Sequence, residues 1–141
     1  MQQFTYIDFL SMKTILVDAV YTFIIEKNGK FNIFQQMHEL LDSFPNEKVI
    51  LTNANYDKFN YYGLDKMPYE VFTLKHTPEK TDPAYFKTLL NHLGLNADAV
   101  VYFEHNLDAF KTAQVAGIKS YYYDSEKKDL NSLKEFLTEN L

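Results

Sequence analysis

Asp18, Thr52-Asn53, Lys80 and Glu104-His105 are the stretches of this sequence whose side chains can do chemistry together. A carboxylate such as Asp18 can attack phosphorus or carbon as a nucleophile. The Thr52 hydroxyl and the Lys80 ammonium can neutralise phosphate oxygens, and two acids held close, Asp18 and Glu104, can share a Mg²⁺ ion through oxygen ligands. Each has a plainer account when taken singly. Asp18 can cap a turn, Thr52-Asn53 can form one, Lys80 can be a surface lysine, and Glu104-His105 can be a solvated strand end. Their shared position carries the argument, because Asp18, Thr52-Asn53 and Glu104-His105 each end an apolar run and Lys80 stands just before a helix.

The elements that must position them read as follows. Lys13–Asp18 (KTILVD), Lys48–Thr52 (KVILT), Tyr69–Leu74, Ala99–Phe103 and Lys119–Tyr123 are short apolar runs rich in β-branched and aromatic residues, which predicts buried strands. Thr22–Lys27 and Lys30–Ile33 flank Asn28-Gly29, the strongest short signal for a hairpin. Phe34–Phe44 has apolar residues at helical spacing and is broken by Pro45-Asn46. Asn55–Tyr62 predicts a short helix stopped by Gly63. Asp82 and Pro83 open a helix through Leu93 as N-cap and first helical residue, with Gly94 ending it. Leu107–Ala116, closed by Gly117, and Asp129–Glu139 predict the last two helices.

Strand and helix alternate throughout, and the strands are continuous rather than alternating apolar runs. That combination predicts an α/β fold of three layers, Rossmann-like, with a parallel five-stranded sheet flanked by helices on both faces. Right-handed crossovers then bring the strand C-termini, and with them the chemistry-bearing residues, to one rim.

Bulk properties narrow the classes. A chain of 141 residues predicts one core. Residues 13–141 are expected to form the α/β domain and residues 1–12 an N-terminal extension, because Met12 directly precedes the first strand. Met1–Leu10 carries Asp8 and no basic residue, so it is not expected to act as a signal peptide. A net charge of −5 without a dense Lys/Arg cluster disfavours nucleic acid as a partner. No apolar run approaches the roughly 20 residues that span a bilayer. Cysteine is absent, which excludes disulfides and thiol chemistry and fits a cytoplasmic setting.

At the chemistry-bearing residues the chain resembles the haloacid-dehalogenase-like (HAD) hydrolase superfamily. The family's four motifs appear in order. They are an Asp with a Thr four residues on (Asp18-Ala19-Val20-Tyr21-Thr22), a strand ending in a hydroxyl (Val49–Asn53), a Lys before a Pro-containing helix start (Lys80–Pro83), and an apolar strand ending in an acid and leading to Ala-Gly (Val100–His105, then Ala116-Gly117). The resemblance implies that Asp18 is the nucleophile, that Thr52 binds the transferring phosphoryl oxygen, and that Lys80 bridges the nucleophile and a small phosphorylated substrate. It also places Thr22 and Asn53 among the substrate contacts. Asp18 and Glu104, with His105 as a third candidate, become the ligands of Mg²⁺, and the hairpin after Asp18 becomes a flap over the site.

Three positions depart from the family pattern. Phosphatases of the family carry a second Asp, working as general acid/base, where this chain has Val20. That help is typically worth roughly 10²–10⁴-fold. The last motif usually has an Asp where His105 stands, and imidazole prefers softer metals than Mg²⁺. Ala109 replaces a supporting acid or amide. The family's metal-free dehalogenase branch also lacks the second Asp, and Val20-Tyr21-Thr22 and Asn106 are similar to it. Against that branch stand Ala109 and the absence of any Arg, on which halide and carboxylate binding relies there.

The intervals Asp18–Thr52 and Thr52–Lys80 leave no room for the cap domain that many relatives insert. An open rim suits a macromolecular substrate, a protein partner or a second copy of the chain, and the aromatics Tyr56, Phe59, Tyr61, Tyr62 and Tyr121–Tyr123 could line such a surface. Three readings follow: a weak Mg²⁺-dependent phosphate-ester hydrolase, a non-catalytic relative that binds a phosphorylated ligand or protein, and a metal-free dehalogenase.

Overall fold

The computed structural model describes residues 12–141, so the extension expected over residues 1–12 lies, but for Met12, outside the described residues. Strands β1 (Thr14–Asp18), β4 (Lys48–Thr52), β5 (Glu70–Thr73), β6 (Val100–Glu104) and β7 (Lys119–Tyr122) form one parallel sheet in the order β5-β4-β1-β6-β7. The central strand β1 is flanked by β4 and β6, so the first acid sits between the other two motif-bearing strand ends.

Alternation along the strands assigns the layers. Ile15, Val17, Ile50, Val101 and Phe103 face one side, where Met37 and Leu41 of α1 (Gln35–Asp42) and Leu133 and Leu137 of α5 (Leu130–Asn140) cover them. Leu16, Val49, Leu51, Val100 and Tyr102 face the other, against Tyr85, Phe86 and Leu89 of α3 (Pro83–Leu93) and Ala113 of α4 (Leu107–Val115). Nearly all of these core side chains are fully buried, each worth roughly 1.5–3 kcal/mol of transfer free energy if aliphatic or Phe. The predicted three-layer α/β fold is therefore the one observed.

The hairpin β2 (Ile24–Lys27) and β3 (Lys30–Ile33) pairs antiparallel around Asn28 (φ 54°) and Gly29 (φ 77°), the positive φ values a two-residue hairpin turn requires. β2 starts two residues later than the sequence predicts. Thr22 and Phe23 are consumed in a tight turn, where Phe23 N–H donates to the carbonyls of Asp18 and Ala19 and Ile24 N–H also reaches Ala19. Asn55–Tyr62 splits into a 3₁₀ turn (Tyr56–Lys58) and the one-turn helix α2 (Phe59–Tyr62). Phe31 of the flap packs on Tyr61 and Tyr62, fixing the hairpin beside the rim. Between β1 and β4 lie only the hairpin and α1, and between β4 and Lys80 only α2, short turns and β5, so no cap is inserted. No helix among the described residues is long and apolar enough to cross a membrane.

Candidate active site

A cleft of about 430 Å³ opens at the C-terminal ends of β1, β4 and β6, and Asp18, Thr52, Asn53, Lys80, Glu104 and His105 all line it. The period-two rule explains how the acids meet. Asp18 shares the face of Leu16, and Glu104 the face of Tyr102, so both carboxylates turn toward the layer that α3 covers. Lys80 enters from the loop just before α3. Its placement is reinforced by Asp82, whose carboxylate caps the helix through Ala84 N–H at 2.9 Å.

Asp18 is 2% exposed. Its Oδ1 accepts from Lys80 Nζ at 2.7 Å. Its Oδ2 accepts from Thr22 Oγ1 at 2.6 Å, from His105 backbone N–H at 3.2 Å and from His105 Nδ1. Glu104 is fully buried. Its Oε1 accepts from Lys80 Nζ at 2.7 Å and from the Tyr102 hydroxyl. Its Oε2 accepts from Asn106 N–H at 3.1 Å and lies 3.4 Å from His105 Nδ1. Lys80 thus joins two carboxylates on neighbouring strands, and His105 joins them a second time from the rim.

The electrostatics follow from this geometry. Burial alone would raise the Asp18 carboxyl, but the Lys80 charge and the His105 hydrogen bond outweigh it and hold Asp18 below the usual carboxylate range. Burial and the adjacent Asp18 charge push Glu104 upward. Lys80 is raised, because its two carboxylate partners overcome the cost of burying an ammonium. Burial would lower His105, yet its hydrogen bonds to Asp18 and Glu104 raise it to about 9. Burial and the Glu104 charge push the Tyr102 hydroxyl well up, so it stays a donor.

The other expected site residues divide. The Thr52 hydroxyl lines the cleft and accepts from Ala54 N–H at 3.1 Å, which leaves its own proton free to donate. Asn53 lines the cleft, but its side-chain oxygen accepts from Lys80 N–H at 2.8 Å, so it also fixes the lysine loop. Thr22, expected among the substrate contacts, is turned toward Asp18 instead. It is fully buried, does not line the cleft, and spends its hydroxyl on Asp18. Val20 and Ala109 sit in the cleft wall and line it with aliphatic groups.

Two contributors were not singled out as site residues from the sequence. Tyr102 lies two residues before Glu104 on the same strand, a spacing that could have flagged it. Tyr21 adopts φ 67° and meets the His105 ring edge-on at 5.9 Å, supported by Phe31 at 5.9 Å; nothing in its local sequence signals that conformation. Of the aromatics expected at a partner surface, Tyr56, Tyr61 and Tyr122 are exposed, Tyr123 is core, and Phe59, Tyr62 and Tyr121 pack partly buried.

No protein-family model matches the sequence, and no curated protein sequence matches it. Solved structures do. A HAD-family enzyme from Bacteroides thetaiotaomicron, in complex with magnesium and inorganic phosphate, superposes with a TM-score of 0.69 at 13% identity over 86% of this chain and 98% of that one. D,D-heptose 1,7-bisphosphate phosphatase from B. bronchiseptica, complexed with magnesium and phosphate, gives 0.69 at 14% identity over 92% of this chain and all of that one. The chain has a HAD-like fold. A 2-haloacid dehalogenase from Pseudomonas syringae gives 0.59 at 24% identity over 79% of this chain and 55% of that one. The HAD-like resemblance expected from the motifs therefore holds at the level of fold.

The HAD-like fold, shared with magnesium-bound structures, raises the question of Mg²⁺. Asp18, Glu104 and His105 can each present a donor atom within 4.8 Å of one another, so proximity alone would admit an ion. The contacts and the donor chemistry do not. All four carboxylate oxygens of Asp18 and Glu104 already accept hydrogen bonds from the protein, and His105 Nδ1 bonds directly to Asp18 Oδ2. Mg²⁺ demands oxygen ligands in near-octahedral array, and an imidazole nitrogen in place of a carboxylate is a poor substitute. This set of residues, as built, does not fit Mg²⁺.

Proposed function

We propose that this chain is a hydrolase of small phosphate esters that works through Asp18. The observation that carries the reading is the arrangement around Asp18. A buried, ionised carboxylate lies at the floor of an open cleft and is bonded to Lys80, with the Thr52 hydroxyl on the same rim. Oδ2 accepts from three donors and Oδ1 from one, so Oδ1 is the oxygen with a lone pair left for attack.

In this reading Oδ1 attacks phosphorus, the bond to the ester oxygen breaks, and that oxygen departs with the bonding pair. Lys80 and the Thr52 hydroxyl neutralise the equatorial oxygens, and Thr22 with the His105 N–H groups orients the carboxylate. Water then cleaves the aspartyl phosphate. Val20 cannot deliver a proton to the departing oxygen, so substrates with stable leaving groups, aryl and acyl phosphates, are favoured over alkyl phosphates. The Mg²⁺ dependence expected from the resemblance is not part of this reading, because Asp18 Oδ2 and Glu104 Oε1 each already accept two or more hydrogen bonds and an imidazole stands where a further oxygen ligand is needed.

Turnover of an aryl phosphate by the full chain without added metal, abolished in Asp18→Asn, is the expected result. Absence of turnover with both aryl and acyl phosphates, with or without metal ions, would sink it. One observation supports a second reading, binding of a phosphorylated ligand without catalysis: Val20 removes the proton-transfer group while Lys80 and Thr52 remain in the cleft.

A further inference from the structure

The space between the Asp18 and Glu104 carboxylates is not a gap awaiting an ion. His105 Nδ1 bonds to Asp18 Oδ2, lies 3.4 Å from Glu104 Oε2 and 3.4 Å from Thr22 Oγ1. Two ligands at right angles on one Mg²⁺ ion would stand about 3 Å apart, given metal–oxygen distances near 2.0–2.1 Å. The imidazole nitrogen and Asp18 Oδ2 are in direct hydrogen-bond contact instead, so the ring N–H lies along the direction a metal would need. The backbone N–H of the same residue takes a further lone pair of that oxygen at 3.2 Å.

The ring is also held there. Tyr21 packs edge-on against it at 5.9 Å, and Phe31 of the flap backs Tyr21. Charge accounting points the same way. Asp18 and Glu104 face the Lys80 ammonium and one imidazole, and Ala109 supplies no further acid. A divalent ion added to this set would meet a cation at hydrogen-bond distance from each carboxylate.

We propose that the His105 ring occupies the place of a divalent cation, so that the centre binds neither Mg²⁺ nor a softer divalent metal and uses a protein N–H donor instead. This stands apart from the phosphate-ester reading, since it concerns what the carboxylates bind and not what they turn over.

The test is titration of the full chain with MgCl₂, MnCl₂ and ZnCl₂ by calorimetry, with melting temperature followed in parallel. Wild type is expected to show no saturable heat that depends on Asp18 and no melting shift. His105→Asp, which supplies an oxygen ligand, is expected to bind Mg²⁺ saturably where wild type does not and to lose that binding when Asp18→Asn is added. Saturable metal binding by wild type that disappears in Asp18→Asn would overturn the proposal, as would a folded His105→Asp variant that gains no Mg²⁺ affinity. Should that variant not fold, the histidine side-chain ¹⁵N signals of wild type decide. Signals unmoved by millimolar metal support the proposal, and a metal-dependent shift of the His105 ring overturns it.

Discussion

Lys80 Nζ and Glu104 Oε1 meet at 2.7 Å with the lysine side chain 9% exposed and the glutamate not at all. The same nitrogen reaches Asp18 Oδ1 at 2.7 Å, so one ammonium satisfies two buried carboxylates from adjacent strands. Removing one partner of such a pair leaves an uncompensated buried charge, which typically costs about 3–5 kcal/mol. Lys80→Met is therefore expected to lower unfolding free energy by that order in urea titrations. Adding Glu104→Gln to the Lys80→Met background should recover part of the loss. Equal stability of Lys80→Met and wild type would contradict the arrangement.

His105 links stability to pH. Its folded-state value is raised from 6.5 to about 9, so its contribution is complete below pH 6.5 and is lost as pH rises through 9. The melting temperature of wild type should fall toward that of His105→Gln across this interval. A difference between the two proteins that stays constant from pH 6 to about 9.5 would refute the assignment.

Val20 puts an aliphatic side chain in the cleft wall, and in the proposed reaction the departing oxygen receives no proton there. Val20→Asp should raise turnover of alkyl phosphates, whose departing oxygen needs a proton, by roughly 10²–10⁴-fold, and that of aryl phosphates much less. If the variant folds and both substrate classes respond equally, the missing group is not what limits the reaction.

Asn106 caps α4 by accepting from Ala109 N–H at 3.0 Å, while its own N–H donates to Glu104 Oε2. Asn106→Ala keeps the backbone donor and removes the cap. The expected cost is about 0.5–2 kcal/mol in chemical denaturation. Asn106→Ser or Asp, which retains a capping oxygen, should recover most of it.

The fold was legible because its signals are local. KTILVD and KVILT are apolar runs of strand length closed by a polar residue, and Asp82-Pro83 and Asn28-Gly29 fix their elements through backbone chemistry. The rim was legible for the same reason, since strand ends in a parallel sheet share one edge. The position of Thr22 is not legible in the sequence, because the turn after Asp18 is wound by backbone hydrogen bonds to Asp18 and Ala19, which draw the hydroxyl inward onto Asp18. The His105–Asp18 bond joins residues 87 apart in sequence, and no periodicity encodes it. It depends on how β6 registers against β1 and on Tyr21 closing over the ring.

That register gives the charge cluster a role in assembly. Val17 stands beside Phe103, which brings the last residues of the two strands, Asp18 and Glu104, level at the rim where Lys80 can span them. A slip of one residue would turn every side chain of β6 to the opposite layer and carry Glu104 away from the lysine. The same ionic knot that holds Asp18 ionised therefore favours the correct alignment of the central strands, and a chain that pairs them wrongly is left with buried charges it cannot neutralise.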